Sequence, residues 1–204
     1  MTSFKNIAKN LLLEREGTFS KCSTQVDLKE GKNAILRLTN LIPNKHLHEY
    51  GRENDPHVTV LYGINPSLTA YSEVENAVRE CGLQEIKATI GKCSLFENEE
   101  YDVIKLEVLS EDLNRVHDSI CSNVPYESDY PDYNPHITVA YVKPGLGKSY
   151  ADRIGDKLAG TPLKFNSIQF SNTDGTKNPI ELGYPNNQDA KHPDTGEMNE
   201  DLGY

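Results

Sequence analysis

The chain has 204 residues, a quarter of them charged, and a formal net charge of −10 at pH 7. This length suits one well-packed domain, and no stretch is long and apolar enough to span a membrane. A protein that follows a nucleic-acid backbone needs a basic surface that displaces counterions, and the sequence shows none. The composition therefore argues against a polymeric nucleic acid or a membrane as partner, and it allows a small nucleotide with few phosphates.

The N-terminal segment, residues 1–21, is predicted to form a short amphipathic helical extension, because apolar residues recur every three or four positions. Its apolar run, 11–13, is followed at once by charged residues and by no small-residue cleavage site, so we expect no signal peptide. The four cysteines lack metal-type spacing. Without an export signal they are expected to be reduced thiols, which predicts a cytoplasmic protein.

The rest of the chain alternates short strands with amphipathic helices. In chain order the pattern predicts a strand at 34–38, a strand at 57–62, a helix at 71–81, strands at 87–96 and 101–109, a helix capped by Ser110, a strand at 136–142, a helix at 148–158 and a strand at 163–170. The segment 185–204 is polar and acidic without hydrophobic period, and is predicted to be a disordered tail. The sequence thus predicts one domain over 22–184 between an N-terminal helical extension and this tail.

One short pattern occurs twice in the chain: Asp-Pro-His-Val-Thr-Val and, 79 positions later, Asn-Pro-His-Ile-Thr-Val. On a strand, a histidine and a threonine two positions apart share one face, while the β-branched residues between them point into the core. Two such strands lying side by side would present two imidazoles and two hydroxyls to one cleft. The residues concerned are His57, Thr59, His136 and Thr138.

A tyrosine follows each copy of the pattern, Tyr62 in the first and Tyr141 in the second. Each lies five positions after its histidine, an odd offset. Strict alternation along a strand therefore places both tyrosines on the core-facing side. We interpret them as structural residues.

The similar order of elements in the two halves, each with one copy of the pattern, predicts an α+β fold with two lobes. We expect antiparallel sheets around a central cleft, with the helices outside.

The duplicated pair could carry out phosphoester chemistry: one histidine takes a proton, the other gives one, and the hydroxyls hold phosphoryl oxygens. A lone histidine on a strand is usually structural, but duplication of the whole pattern favours catalysis. Either histidine could be the acid or the base. The pair His46-x-His48 lacks a third ligand nearby, so we predict no metal site and no cofactor.

Two His-x-Thr motifs about eighty residues apart, in a chain of this size, resemble the 2H phosphoesterase superfamily, which includes RNA 2′,3′-cyclic phosphodiesterases and 2′-5′ RNA ligase-like proteins. The residues that flank the motifs, from Pro56 to Gly63 and from Asn134 to Tyr141, look most like the bacteriophage branch known as anti-CBASS proteins. The resemblance implies a metal-independent phosphodiesterase that hydrolyses cyclic di- and trinucleotide immune signals, and it would place a phage-encoded enzyme in the host cytoplasm.

Members of that branch are expected to stack a base on tryptophan, and this chain has none. Phe96 or a tyrosine of the 126–133 loop such as Tyr133 would have to serve instead, with Lys105 offsetting phosphate charge. Two alternatives stay open. One is an RNA-end 2′,3′-cyclic phosphodiesterase or 2′-5′ RNA ligase-like enzyme, and the other is a protein that sequesters nucleotides without cleaving them.

Overall fold

The computed structural model describes residues 20–128 and 132–183. The predicted N-terminal helix lies outside these ranges except for its last two positions, which form a bend, and the acidic tail lies outside them altogether. The strands are β1 (Cys22–Asp27), β2 (Leu47–Arg52), β3 (His57–Ile64), β4 (Ile86–Glu97), β5 (Asp102–Leu109), β6 (His136–Val142), β7 (Pro162–Phe165), β8 (Ser167–Ser171) and β9 (Lys177–Glu181), and the helices are α1 (Lys32–Thr39), α2 (Tyr71–Glu80), α3 (Glu111–Asn123) and α4 (Gly147–Ile154).

All strand pairs in the described ranges are antiparallel, and they build one curled sheet in the order β7-β4-β5-β6-β3-β1-β8-β9, with β2 paired to the edge of β6. The predicted α+β class and its antiparallel sheet are confirmed. The two halves of the sheet meet where β3 pairs with β6, and this contact consists of a single registered pair, Val58 opposite Ile137. A sheet joined by so short a seam is free to splay into a cleft, and both histidine motifs lie at this seam.

The helices cover the apolar face of the sheet. Helix α3 packs on β3 and β4, α4 packs on β4 and β5, and α1 packs on β6, while α2 packs on α3. Buried side chains from all four of these helices and from both halves of the sheet form one continuous hydrophobic core. None of the helices in the described ranges is long and apolar enough to cross a membrane.

Helix α3 shows why the sequence folds this way locally. The Ser110 hydroxyl accepts a hydrogen bond from the Leu113 amide at 3.0 Å, as a side-chain cap should. The residues that recur at helical spacing, Leu113, Val116 and Ile120, are fully buried. The predicted capping residue is confirmed.

Two predicted elements are wrong. Residues 34–38 form part of α1 and not a strand: Gly31, with φ +77°, precedes the helix, and Ile35 and Leu38 are buried at a spacing of three. The predicted strand at 163–170 is two strands divided at Asn166. Strand β7 pairs with β4, whereas β8 pairs with β1, so the chain crosses from one half of the sheet to the other there. Pattern alone does not reveal such a crossing, because both pieces alternate buried apolar residues with polar ones.

Candidate active site

The two histidine motifs begin the two strands that meet at the seam. His57 opens β3 and His136 opens β6. The residues between and after each His and Thr are fully buried, while the histidines and threonines themselves are partly exposed. The predicted alternation is therefore confirmed, and the antiparallel pairing places both motifs side by side on one face. We refer to this side of the sheet as the polar face.

A β-bulge interrupts each motif strand at the same position. Across β1 and β3, Gln25 is opposite Thr59 but Thr24 is opposite Leu61, so Val60 is an extra residue. Across β5 and β6, Lys105 is opposite Thr138 but Ile104 is opposite Ala140. Val139 is therefore the extra residue of the second motif. An inserted residue shifts the alternation by one position.

The prediction that the two tyrosines face the core is consequently wrong. Tyr62 lies opposite Ser23 on β1, and Tyr141 lies opposite Val103 on β5. Because directly opposed residues share a face, both tyrosines lie on the polar face with the histidines. Tyr141 also contacts a ring cluster with Tyr50, at a centroid distance of 5.5 Å. The two bulges thus extend the polar face by one aromatic side chain per motif.

Each imidazole is held by a backbone carbonyl of its own motif. His57 Nδ1 lies 2.9 Å from the Asp55 carbonyl oxygen, and His136 Nδ1 lies 2.8 Å from that of Asn134. A carbonyl can only accept, so Nδ1 carries the proton in each ring. This leaves Nε2 of each neutral ring as a free base. The same backbone tether thus orients both rings.

The prolines in that context hold each motif to the strand beside it. The Pro56 carbonyl accepts a hydrogen bond from the Leu28 amide at 3.2 Å, just past β1. The Pro135 carbonyl accepts one from the Val108 amide in β5 at 3.0 Å. Proline has no N–H to donate and is suited to the first position of a strand. The two histidines thus follow equivalent anchored turns.

The surroundings of His136 favour the neutral form of its imidazole. The pKa of His136 is lowered from its ordinary value, chiefly by burial and further by the positive charges of Lys105 and His57, although its hydrogen bond to Asn134 opposes the shift. The cross-strand neighbour is a carboxylate for both rings, Asp27 for His57 and Glu107 for His136. The His136 ring thus stays neutral to a lower pH than an ordinary imidazole.

An ion-pair network fixes the His57 motif. Lys32 Nζ donates to the Asp55 carboxylate at 2.7 Å, and Lys177 Nζ lies 3.3 Å from Asp27 and 3.5 Å from Asp55. These contacts hold the pKa of Asp55 below its ordinary value, mainly through the hydrogen bond from Lys32. The network ties α1, β1 and β9 to the turn that orients His57. The second motif has Asn134 at the equivalent place and no comparable network among the described residues.

The two motif threonines are available for a ligand. Thr59 and Thr138 are both partly exposed on the polar face. Within the described part of the chain, neither hydroxyl makes a hydrogen bond. Each lies one pleat beyond its histidine, which places two O–H donors next to the two imidazoles.

Tyr133 connects the two motifs. Its hydroxyl donates to the Thr59 carbonyl at 3.1 Å, and its ring stacks on His117, with centroids 4.1 Å apart and planes 1° from parallel. Burial raises the pKa of the phenol, so it stays a donor. The next residue, Asn134, supplies the carbonyl that holds His136. Tyr133 therefore fastens the turn before the second motif to the strand of the first.

The other two predicted substrate-binding residues also lie on the polar face. Lys105 is directly opposite Thr138, and Phe96 on β4 is opposite Val103, which in turn is opposite Tyr141. Lys105 and Tyr133 line a cavity beside His136, whereas Phe96 lies in the row next to that of Lys105 and Thr138, two rows from His136.

Sequence reasoning missed the neighbours that surround the motifs, notably Asp27 and Gln25 on β1 and Glu107 on β5. They are placed by strand pairing, and β1 was not predicted as a strand. The polar–apolar alternation of 102–109 is the signal that could have placed Glu107 on the same face as Lys105. Among the described residues, no group of three or more His, Cys, Asp or Glu side chains is arranged to hold a metal ion.

A curled antiparallel sheet with two His-x-Thr strands at its seam is the fold of the 2H phosphoesterases. The family model of the 2′-5′ RNA ligase superfamily matches residues 30–176, more than two-thirds of the chain. The chain belongs to this superfamily, and membership implies phosphoesterase chemistry. A search of curated proteins found no match.

Solved structures agree on the fold. The protein TT0787 of Thermus thermophilus aligns with a TM-score of 0.55 at 15% identity, over 79% of this chain and 95% of its own. Usb1 of Kluyveromyces marxianus, in complex with uridine monophosphate, aligns with a TM-score of 0.53 at 10% identity, over 80% of this chain and 99% of its own. At these identities the likeness establishes the architecture alone.

Proposed function

We propose that this protein is a metal-independent phosphodiesterase in which His57 and His136 act as a general acid–base pair on one phosphodiester. The observation that carries the proposal is the seam between β3 and β6, which brings to one face two identically tethered imidazoles and two hydroxyls that have no hydrogen-bond partner among the described residues. A binding protein would need neither a proton acceptor nor a proton donor. The symmetric presentation of two Nε2 atoms is therefore better matched to catalysis than to sequestration.

The surroundings of His136 support an assignment of which histidine is the base and which is the acid. Burial and the charge of Lys105 keep His136 neutral, so its Nε2 removes a proton from the nucleophile, which is water or a substrate 2′-hydroxyl. The nucleophile's oxygen forms the new P–O bond as the bond to the 5′-oxygen breaks. Protonated His57, across the seam, gives its proton to that departing oxygen. Proton exchange with water then resets both rings.

The threonines and Lys105 serve the phosphoryl group. Negative charge accumulates on the non-bridging oxygens in the transition state, and donors aimed at that position are effective because they need no reorganisation. Thr59 and Thr138 flank the seam as such donors. Lys105, directly opposite Thr138, adds a positive charge on the same side.

The proposed substrate is a cyclic di- or trinucleotide of the kind used as a bacterial immune signal. Support for this finer assignment comes from the residues that flank the motifs, which resemble the phage anti-CBASS branch, and from a net charge of −10, which disfavours long nucleic acids. An RNA-end 2′,3′-cyclic phosphodiesterase is the second candidate. The matching superfamily model and the structural likeness to a uridine monophosphate complex of Usb1 favour it.

A substrate panel separates these candidates. The full chain is incubated in EDTA with 3′,3′- and 2′,3′-linked cyclic di- and trinucleotides and with a linear RNA that ends in a 2′,3′-cyclic phosphate, and the products are resolved by chromatography. Opening of the cyclic messengers that is lost in His57→Ala supports the immune-signal assignment. Cleavage confined to the linear ends moves the enzyme to RNA processing. Tight retention without any cleavage would overturn the proposal in favour of a nucleotide-sequestering protein.

A further inference from the structure

A cavity of about 440 Å³ opens beside His136, on the side away from the seam. It continues from the catalytic face along β5 to the first turn of α3. Its volume falls in the range of pockets that hold small organic ligands. The residues that matter for its chemistry are Lys105, Glu107, Leu109, Glu111, Tyr133 and His136.

Two side chains of opposite charge, Lys105 and Glu107, lie next to each other on the face of β5 that lines this cavity. Lys105 lies opposite Thr138, and Glu107 lies opposite His136, one pleat along β5 from Lys105. Both side chains are half-buried, yet neither makes an ion pair or hydrogen bond within the described ranges. Half-buried charges are ordinarily paired. The cation is therefore placed for a phosphate, and the carboxylate is placed for a different, hydrogen-bond-donating part of the same ligand.

The remaining walls suit a flat, uncharged group. The Leu109 side chain is 62% exposed at the mouth of the cavity, where an apolar residue of that size gains from being covered. The ring of Tyr133, fixed by its stacking on His117, forms another part of the wall.

Glu111, the first residue of α3, brings a second carboxylate to the far end, and its side chain likewise makes no ion pair or hydrogen bond in the part of the chain that is described.

We propose that this cavity is a nucleobase subsite that selects bases with an exocyclic amino group, and that Glu107 and Glu111 are its specificity-determining residues. The inference rests on the proposed function, because it places the scissile phosphate between the two motifs. A carboxylate only accepts hydrogen bonds. Cytosine, adenine and guanine each offer it an amino group, whereas uracil presents carbonyl oxygens on both sides of its single N–H and is repelled by it.

Cytidine and uridine form the matched pair for the test, since they differ at the amino group and the adjoining ring nitrogen. The ratio of kcat/KM for cytidine 2′,3′-cyclic phosphate over uridine 2′,3′-cyclic phosphate is measured for the full chain, so that effects common to both substrates cancel. One charge-assisted hydrogen bond predicts a ratio of at least about tenfold. The variants Glu107→Gln and Glu111→Gln are expected to bring it to within about threefold, because an amide also donates to a uracil carbonyl. Glu99→Gln, in the exposed turn between β4 and β5, is the control and should leave the ratio unchanged.

Equilibrium titration with cytidine and uridine 3′-monophosphates gives a readout that does not depend on turnover. Tighter binding of the cytidine nucleotide by about tenfold, lost in either glutamine variant, supports the subsite. Equal affinity for the two nucleotides, or a preference that both glutamine variants retain, overturns it. Absence of turnover with every substrate would instead count against the proposed function, and the titration would still decide the subsite.

Discussion

The hydroxyl of Tyr133 offers a sharp test of how the two motifs are held together. The substitution Tyr133→Phe keeps the ring, its stacking on His117 and its volume, and removes only the 3.1 Å hydrogen bond to the Thr59 carbonyl. A hydrogen bond of this kind contributes about 1 kcal/mol net, and somewhat more when a partly buried carbonyl is left without its donor. We therefore expect the free energy of unfolding to fall by about 1–2 kcal/mol.

The same substitution should lower activity by more than its effect on stability explains. The bond fastens the turn whose next carbonyl, that of Asn134, orients His136, and small displacements of a catalytic group are costly. We expect kcat to fall by about tenfold with little change in KM. Urea unfolding and steady-state kinetics on one substrate measure the two quantities.

Tyr71→Phe is the matched control for Tyr133→Phe. Its hydroxyl makes the same kind of bond, 3.0 Å from the Pro179 carbonyl, but joins α2 to β9 away from the motifs. It should lose stability without losing kcat. If Tyr133→Phe loses no more activity than Tyr71→Phe, the positioning role assigned to Tyr133 is refuted.

Two further predictions concern the pH dependence and the backbone. The pKa of His136 lies below its ordinary value, so kcat/KM should rise with pH through an acid limb below about pH 6.5, as the ring loses its proton and becomes the base. Lys105→Met removes a positive charge that lowers this pKa, so the acid limb of the pH profile should move to higher pH. An acid limb that stays in place at constant ionic strength would contradict the assignment of His136 as base. Gly63 has φ +95°, and an added Cβ would lie 1.9 Å from the Glu127 carbonyl oxygen. Gly63→Ala should therefore lower the free energy of unfolding, measured in urea, by more than about 2 kcal/mol. Gly145→Ala, with φ +78° and open space around it, should lower it only by the backbone strain of about 1 kcal/mol. Equal losses of free energy in the two variants would show that the close contact at Gly63 is relieved at little cost.

The site's centre could be predicted from the sequence because it depends on local rules. The spacing of two in His-x-Thr fixes which side chains share a face, and the buried residues between them fix which face is turned outward. Duplication of the pattern then indicates that two such strands meet. The structure agrees with these expectations at β3 and β6.

The surroundings of the site could not be predicted, because they depend on pairing between distant segments. The bulges at Val60 and Val139 contain no glycine or other signal, yet they turn Tyr62 and Tyr141 onto the polar face. Glu107 becomes a neighbour of His136 only through the register of β5 with β6. The charged surroundings of the two histidines are therefore a property of the sheet and not of the motifs.

The central claim, that His57 and His136 act on one phosphodiester as acid and base, is tested most directly by changing the leaving group. Wild type, His57→Ala and His136→Ala are compared on a ribonucleoside 3′-phosphodiester with a natural 5′-nucleoside leaving group and on its p-nitrophenyl analogue, whose phenolate departs without a proton. We expect each variant to lose about 10²-fold or more on the natural ester. The p-nitrophenyl ester should restore His57→Ala to within about tenfold of wild type but leave His136→Ala inactive. Rescue of His136→Ala alone would reverse the two roles, and near wild-type turnover of the natural ester by either variant would contradict the acid–base pair itself.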